Sequence, residues 1–375
     1  MSLHPVVGHS ELQARLTRAA ELGRIPQSLL FRGPPGIGKQ RLALWLAALV
    51  QCDAPEARPC GRCTSCHLAD DLQHPDIHWF FPLPSPKKVS GDRRRQKLEE
   101  ARIEELGSRR ADPLWTSGGN EAASIFLPIV EEIRARAVRR PAMGSSSVFV
   151  IGDAERMVPQ ASSPEAANAF LKLLEEPPAD TLVFLTSSRP GALLPTVRSR
   201  VLEVRVTPPS PDAARAFLEE HAGMGADEAA AAARRSEGSI GTVLAGRATD
   251  AGPDVRDEAG GLLACAVRGS RADRLRLAAG YPPAGARGAF SAVLDVLERT
   301  VRDAASIAAG APDAVLDEGI ADRITEVRSL SPEQLVEAAR HVETARDAAA
   351  GNGNPQGIVA VLLADLAAEL GGAGS

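Results

Sequence analysis

Residues 31–40 read FRGPPGIGKQ, and this stretch decides the fold of the 375-residue chain. The apolar segment 28–31 before it predicts a short buried strand, and the amphipathic segment 40–50 after it predicts a helix. Between the two lie the residues of the loop itself, Gly33, Gly36, Gly38 and Lys39. The glycines allow the backbone N–H groups to turn toward one point, and the lysine adds a positive charge. The pattern therefore predicts a phosphate-binding P-loop of a nucleotide-binding protein.

Two positions depart from what an ATP-hydrolysing P-loop protein needs. The residue after the lysine is normally Ser or Thr, whose hydroxyl ligates Mg²⁺, and here it is Gln40. An Asp at the end of a buried strand normally holds the same ion, but the predicted strand 147–151 is followed by Gly152. Asp153 comes one residue later, where a water-polarising Glu would stand, although a shift of one residue would let it serve Mg²⁺. Both protein contacts to Mg²⁺ are therefore predicted to be compromised.

Composition restricts the class of protein. The chain has 48 acidic and 43 basic residues and a net charge of −5, which argues against a surface coated in positive charge for DNA. Neither a signal peptide nor an apolar run near the ~20 residues of a membrane helix is visible. We therefore expect a cytoplasmic protein with no membrane partner.

Four of the five cysteines follow the pattern C-x7-C-x2-C-x2-C, at Cys52, Cys60, Cys63 and Cys66. Two C-x2 steps place three thiolates around a tight turn, and the fourth comes from the end of the preceding helix. Four thiolates suit tetrahedral Zn²⁺ and leave no open position for a catalytic water. Disulfides are the alternative, but a cytoplasmic location disfavours them. A structural zinc knuckle over residues 52–66 is the prediction.

Further strands are predicted at 76–81, 147–151 and 181–186, in alternation with helices at 129–137 and 163–176. This alternation predicts an open parallel sheet covered by helices on both faces, an α/β fold. A helix is also predicted at 6–23. The first domain is expected to span residues 1–206. Three short helices are predicted within residues 207–250, and an all-α domain is predicted over residues 251–375.

Residues 83–122 differ in composition from the rest of the first domain. They are rich in Pro, Ser and Gly and contain a basic cluster, followed by a charged helix predicted near 98–109. The cluster comprises Lys87, Lys88, Arg93, Arg94, Arg95 and Lys97. The favoured interpretation is a solvated surface insertion, and an arm that contacts DNA or a partner is the alternative.

Several motifs together resemble one family. Residues 168–178 (NAFLKLLEEPP), the cysteine spacing, HPD at 74–76 and TVRSR at 196–200 are similar to the bacterial clamp-loader group of AAA+ proteins, most of all to delta-prime subunits of DNA polymerase III. The likeness implies a RecA-like AAA+ domain with an inserted zinc knuckle, a small helical lid and an all-α collar. It also implies a hetero-pentamer with delta-like and gamma/tau-like subunits, which loads the sliding clamp onto primed DNA.

The resemblance also assigns roles to individual residues. The family's Ser-Arg-Cys motif reads Ser199, Arg200, Val201 here, so Arg200 is the candidate arginine that reaches the ATP site of a neighbouring subunit; an ordinary surface ion pair is the alternative. Ser187 or Ser188 falls where the family has a polar phosphate sensor. Gly241 stands where a second sensor, a lid arginine, is expected.

The departures at Gln40, Gly152 and Gly241 all weaken the same site. We therefore expect ATP or ADP to bind weakly, Mg²⁺ to be poorly held, and the chain not to be a competent ATPase by itself. The hypothesis is a delta-prime-like stator of the DNA-directed DNA polymerase holoenzyme that supplies Arg200 in trans. An ATP-hydrolysing gamma/tau-like motor subunit and a stand-alone nucleotide-binding adaptor are the alternatives.

Overall fold

A computed structural model describes residues 5–54, 57–86, 89–115, 123–157, 165–248, 253–283, 289–311, 331–350 and 353–370. The chain divides into two compact units, Met1–Ser117 with Ala123–Ala248 and Gly118–Ala122 with Thr249–Ser375. Lys87, Lys88 and the predicted helix start at Ser163 lie outside the described residues. The division into three domains at residues 206 and 250 remains a prediction.

The first unit is built on one parallel sheet of five strands. They are β1 (Ser28–Arg32), β2 (Ile77–Phe80), β3 (Ser147–Ile151), β4 (Thr181–Ser187) and β5 (Leu202–Arg205). The strand order is β2-β3-β4-β1-β5, and every pairing is parallel. All five residues of β3 are buried, as its continuous apolar sequence predicts. The predicted α/β fold with a parallel sheet and a P-loop after its first strand is confirmed.

Seven helices are described around this sheet. They are α1 (Ser10–Glu21), α2 (Lys39–Gln51), α3 (Thr64–Asp70), α4 (Gly91–Ala111), α5 (Leu127–Ala137), α6 (Glu165–Glu175) and α7 (Pro195–Arg198). The first helix starts later than predicted because Gly8, with φ of 77°, turns the chain in a left-handed conformation before it. Leucines of α2 and the inward face of α5 and α6 pack on β1, β3 and β4 and form one continuous apolar core.

The charged helix of the insertion is longer and better anchored than the sequence predicted. It spans Gly91–Ala111, and Leu98 and Arg102 on it are buried. The Arg109 guanidinium lies 4.4 Å from the ring centroid of Trp79 and 4.0 Å from that of Phe81. Arginine side chains of α4 thus pack their planar groups on aromatic rings beside β2, and the interpretation of residues 83–122 as a solvated surface insertion stays a prediction.

Three short helices complete the first unit. They are α8 (Pro211–Ala222), α9 (Ala226–Arg235) and α10 (Ile240–Ala248). They have a small core of their own, in which Leu218 and Ala229 are fully buried. The start of α10 touches the P-loop, as described below.

The secondary-structure elements described in the second unit are all helices. Its helices are α11 (Pro253–Arg268), α12 (Arg271–Ala279), α13 (Ala289–Ala308), α14 (Pro332–Ala350) and α15 (Pro355–Leu370). Their apolar faces enclose a core of Leu, Val and Ala side chains, among them Leu294, Val342 and Leu363. Within the described residues, no helix combines the length and the apolar composition required to cross a membrane.

Candidate functional site

The P-loop lies where the parallel strands end. β1 runs between β4 and β5, so the residues after β1, β3 and β4 meet at one edge of the sheet. Gly36 and Gly38 have φ of 72° and 90°, values that favour glycine, and Gly38 is the N-cap of α2. The Gly33 N–H donates to the Ser187 carbonyl at 3.3 Å, which joins the loop to the end of β4.

Lys39 is already engaged by the protein. Its side chain is 5% exposed, and its ammonium donates to the Pro34 carbonyl at 2.5 Å and to the Ser188 Oγ at 2.9 Å. Burial lowers the pKa of Lys39 to about 8, although the carboxylates of Asp153 and Glu155 oppose this shift. The lysine is therefore held by its own chain and loses its charge in mildly alkaline solution.

The side chain of Gln40 connects two elements at the sheet edge. Its Nε2 donates to Oδ2 of Asp153 at 3.3 Å, and its Oε1 accepts from the Trp79 indole N–H at 3.1 Å. A Cβ atom on Gly152 would lie 2.6 Å from Cδ of Gln40, far inside contact distance. Gly152 thus leaves the volume that the glutamine amide occupies in this arrangement.

Two carboxylates lie close to this amide. Asp153 has φ of 48°, and its N–H donates to the Thr186 Oγ1 at 3.1 Å. Burial and the neighbouring charge of Glu155 raise the pKa of Asp153. Oε1 of Glu155 accepts the Ser188 N–H at 3.0 Å, whereas its buried Oε2 has no hydrogen-bond partner within the described part of the chain.

The start of α10 packs directly on the P-loop. The Gly241 N–H donates to the Gly36 carbonyl at 2.8 Å, and the Ser239 hydroxyl donates to the Pro35 carbonyl at 2.7 Å. A Cβ atom on Gly241 would lie 2.8 Å from the Gly36 Cα, so the position expected to carry a sensor arginine admits no side chain in this arrangement. We call this contact the lid seam.

Ser187, the last residue of β4, and Ser188, the next residue, have different roles. The Ser187 side chain is fully buried, and its Oγ accepts the Arg189 N–H at 3.1 Å. The Ser188 hydroxyl is the one that meets Lys39. Of the two residues proposed from the sequence as a phosphate sensor, Ser188 therefore has its side chain at the P-loop lysine.

The four cysteines of the predicted knuckle converge. Their sulfur atoms all lie within 4.8 Å of one another, with Cys52–Cys63 and Cys60–Cys66 separations of 4.0 Å. A tetrahedral centre with Zn–S bonds of ~2.3 Å requires sulfur separations of about 3.8 Å. Cys52 follows the last residue of α2, and Cys63 caps α3 by accepting the Cys66 N–H. These four residues could bind a metal ion, and the donor set fits zinc.

Asp76, the last residue of the HPD motif, has a structural role that its sequence did not reveal. Its carboxylate is buried and accepts the N–H groups of Ala142, Met143 and Gly144 at 2.6–2.8 Å. Burial works to raise the pKa of Asp76, but these three hydrogen bonds hold it below its usual range. Asp76 therefore fixes the loop that leads into β3.

Arg200 lies at the surface after α7, and its guanidinium is paired within the chain. Its Nη2 contacts Oε1 of Glu175, the last residue of α6, at 2.8 Å. Its Nη1 donates to the Thr196 carbonyl at 2.8 Å. The side chain keeps 35% exposure, so the group is held but accessible.

Sequence reasoning missed four residues of these sites. Trp79 and Glu175 make their contacts across long chain separations, and no local pattern marks them. The Ser239 hydroxyl and the Glu155 carboxylate likewise meet partners 204 and 33 residues away along the chain.

The sheet order, the P-loop and the lid seam define a P-loop protein of the AAA+ class. Residues 8–210, more than half of the chain, match the model of the family described as DNA polymerase III, delta subunit. The chain therefore belongs to this family.

Three relatives are similar to parts of the chain. The delta' subunit of DNA polymerase III from Escherichia coli K12 is 29% identical over 62% of this chain and 57% of its own length. The delta' subunit from Pseudomonas aeruginosa is 32% identical over 46% and 41%. The gamma/tau subunit from Mycobacterium bovis is 31% identical over 56% and 29%. The matches thus span between about a third and just over half of each relative, and the predicted likeness to delta-prime clamp-loader subunits is confirmed.

Proposed function

We propose that this chain is a delta-prime-like subunit of a DNA polymerase III clamp loader that hydrolyses little or no ATP itself. In this proposal it acts as a stator and supplies Arg200 to the ATP site of a neighbouring subunit. Its partners are delta-like and gamma/tau-like subunits in a hetero-pentamer, which acts on the sliding clamp and primed DNA. Family membership and the relatives' names support the assembly.

The observation that carries the proposal is the double engagement of Gln40. A competent site needs a hydroxyl at this position and a free carboxylate beside it to hold Mg²⁺. Here a carboxamide replaces the hydroxyl: its Nε2 donates to one oxygen of the Asp153 carboxylate, and its Oε1 accepts the Trp79 indole N–H. Mg²⁺ would have to displace the first bond to reach Oδ2 of Asp153 and the second to reach the amide oxygen, which is a weaker ligand for it than a carboxylate.

The lid seam and Lys39 support the same conclusion. The carbonyl groups of Pro34, Pro35 and Gly36 all accept hydrogen bonds from the protein, so the loop is held in place without a nucleotide. Because the ammonium of Lys39 is buried and has two oxygen partners, its attraction for a phosphate is reduced. ATP or ADP is therefore expected to bind weakly, and Mg²⁺ is expected to add little to the affinity for the nucleotide.

The knuckle is proposed to hold one structural zinc ion. Cys52, Cys60, Cys63 and Cys66 would supply all four ligands, so no position is left for a substrate or a water. The ion would fix the end of α2 to the start of α3, and α2 begins at the P-loop. Its role in this proposal is to stiffen the domain.

Two other functions make different predictions. A gamma/tau-like motor is favoured by the likeness to the Mycobacterium bovis subunit, but it requires Mg²⁺ contacts that Gln40 and Gly152 do not offer. A stand-alone nucleotide-binding adaptor would bind no clamp-loader subunit. Co-purification with delta-like and gamma/tau-like partners distinguishes the adaptor from the stator.

The trans-acting role of Arg200 is tested in a reconstituted complex. Arg200→Ala is expected to leave assembly intact and to lower ATP turnover by 10³-fold or more at the one site it serves, the order of magnitude known for arginine fingers. Arg198→Ala is the matched control, since Arg198 lies two residues before Arg200, at the end of α7, but pairs with Glu203. Turnover equal to the wild type in a correctly assembled Arg200→Ala complex would contradict the assignment.

A further inference from the structure

The TVRSR segment contains two arginines, and the protein holds them differently. Arg198 donates from Nε and Nη2 to Oε1 of Glu203, at 3.1 and 3.0 Å. The other oxygen of the same carboxylate pairs with Nε of Arg32 at 2.7 Å. Arg198 thus belongs to a three-residue ionic cluster that links β1, β5 and α7.

Among the described residues, Arg200 has a single carboxylate partner. Its Nη2 lies 2.8 Å from Oε1 of Glu175, and the Glu175 side chain is 46% exposed. The other nitrogen, Nη1, is oriented by the Thr196 carbonyl and by the Ser199 Oγ at 3.3 Å. One end of the guanidinium is therefore fixed by the residues just before it in the chain, while the other end is bound to an accessible anion from a different helix, α6.

We propose that Glu175 is a positioning residue that holds Arg200 in the separate subunit and gives it up to the phosphate groups of a nucleotide on the neighbouring subunit. This inference rests on the proposed trans-acting role of Arg200. The carboxylate and the phosphate would compete for the same nitrogen. Meanwhile the contacts of Nη1 keep the side chain directed outward during the exchange.

The ion pair between Arg200 and Glu175 is weak enough to be exchanged for another anion. An exposed ion pair is worth so little that its loss changes an equilibrium by no more than about five-fold. A polyphosphate carries several negative charges and offers paired oxygens that match a guanidinium, so it displaces one carboxylate readily. Arg198 would resist such an exchange, because Glu203, the carboxylate that holds it, is itself fixed by Arg32.

The test uses the full complex reconstituted with Glu175→Gln, which keeps the shape of the side chain and removes its charge. The ATP concentration for half-maximal turnover is expected to fall by about two- to five-fold, with the maximal rate unchanged, because Arg200 no longer has to leave an anion. Glu175→Asp, which restores the charge, is expected to move this concentration back toward the wild-type value. Glu176→Gln, one residue further along the chain, is the matched control and should change neither parameter.

Three results separate the possible failures. A fall in the maximal rate of the Glu175→Gln complex would mean that the carboxylate assists the reaction rather than competes with it, and would overturn the inference. An unchanged half-maximal concentration would overturn it as well. Arg200→Ala in the same assay tests the premise: if this substitution leaves turnover unchanged, the proposed function fails. If Arg200→Ala lowers turnover but Glu175→Gln has no effect, only the proposed role of Glu175 is rejected.

Discussion

Gly36→Ala is the most informative single change at the lid seam. Gly36 has φ of 72°, in the left-handed region, where an L-residue costs about 1–2 kcal/mol. The new methyl group would also lie 2.6 Å from the backbone nitrogen of Thr242 and would overlap the Ser239 hydroxyl. Because a backbone atom cannot rotate away, α10 has to move off the P-loop.

That movement breaks two hydrogen bonds, from Gly241 N–H to the Gly36 carbonyl and from the Ser239 hydroxyl to the Pro35 carbonyl. Each is worth about 0.5–1.5 kcal/mol net, so the seam should lose about 1–3 kcal/mol beyond the backbone strain. Gly23→Ala is the matched control. Gly23 has φ of 62°, and a Cβ there would meet nothing within 4 Å, so this variant carries the strain without the collision.

The assay is native-state amide hydrogen exchange of the full chain, read over the peptides that cover 239–245. In Gly36→Ala, opening of this segment should become easier by about 1–3 kcal/mol, which corresponds to roughly 5- to 150-fold faster exchange. In Gly23→Ala, exchange of the same peptides should match the wild type. Equal protection in Gly36→Ala and wild type would refute the argument that the lid seam is a close-packed contact.

Other predictions concern the knuckle and the sheet edge. Metal analysis should recover about one zinc per chain, and Cys60→Ser should reduce this amount while Cys265→Ser does not. Asp76→Asn should lower the free energy of unfolding by about 2–3 kcal/mol in denaturant titrations, because three N–H groups lose a charged acceptor. Folding depresses the pKa of Asp76, so the stability that its carboxylate contributes is present above pH ~4, near the pKa of an unfolded Asp. This stability is lost as the pH falls through the depressed pKa of the folded state, and Asp76→Asn should lack this acid sensitivity. Trp79→Phe should cost about 1 kcal/mol in the same titration, since Gln40 loses its indole donor; a variant as stable as the wild type would contradict the bond.

The central part of the fold was predictable from local patterns. β1, β3 and β4 are continuous apolar runs, and burial on both faces of a parallel sheet requires that composition. The glycine spacing of 31–40 predicted a loop because only glycine readily adopts the observed φ values at Gly36 and Gly38. The convergence of the four cysteines followed from their spacing, since two C-x2 steps and a short helix leave few other arrangements.

Elements whose stability depends on distant partners were not predictable. β5 was missed because its sequence LEVR is short and polar, as suits an edge strand paired on one side only. The burial of Arg102 and the ring contact of Arg109 on α4 could not be read from the sequence, because arginine counts as polar although its planar group can pack on rings such as those of Phe80 and Trp79.

The same limit applies to the site. The sequence showed that Gln40 cannot supply a hydroxyl, but the bonds of Gln40 to Trp79 and Asp153 span 39 and 113 residues. From the sequence, Gly241 was interpreted only as the loss of an expected lid arginine. In the structure it is also a point of close approach that a side chain would block. Both positions therefore have structural roles that a comparison with an active P-loop site would describe only as losses.

The weak hydrolysis proposed for this chain is tested most directly by ATP turnover of the purified chain alone, measured with and without Mg²⁺ and compared with its Lys39→Ala variant. Mg²⁺ is expected to add no turnover, and the variant and the wild type are expected to behave alike, because Gln40 binds the carboxylate of Asp153. Mg²⁺-dependent hydrolysis that disappears in Lys39→Ala would contradict it and would identify the chain as a motor subunit.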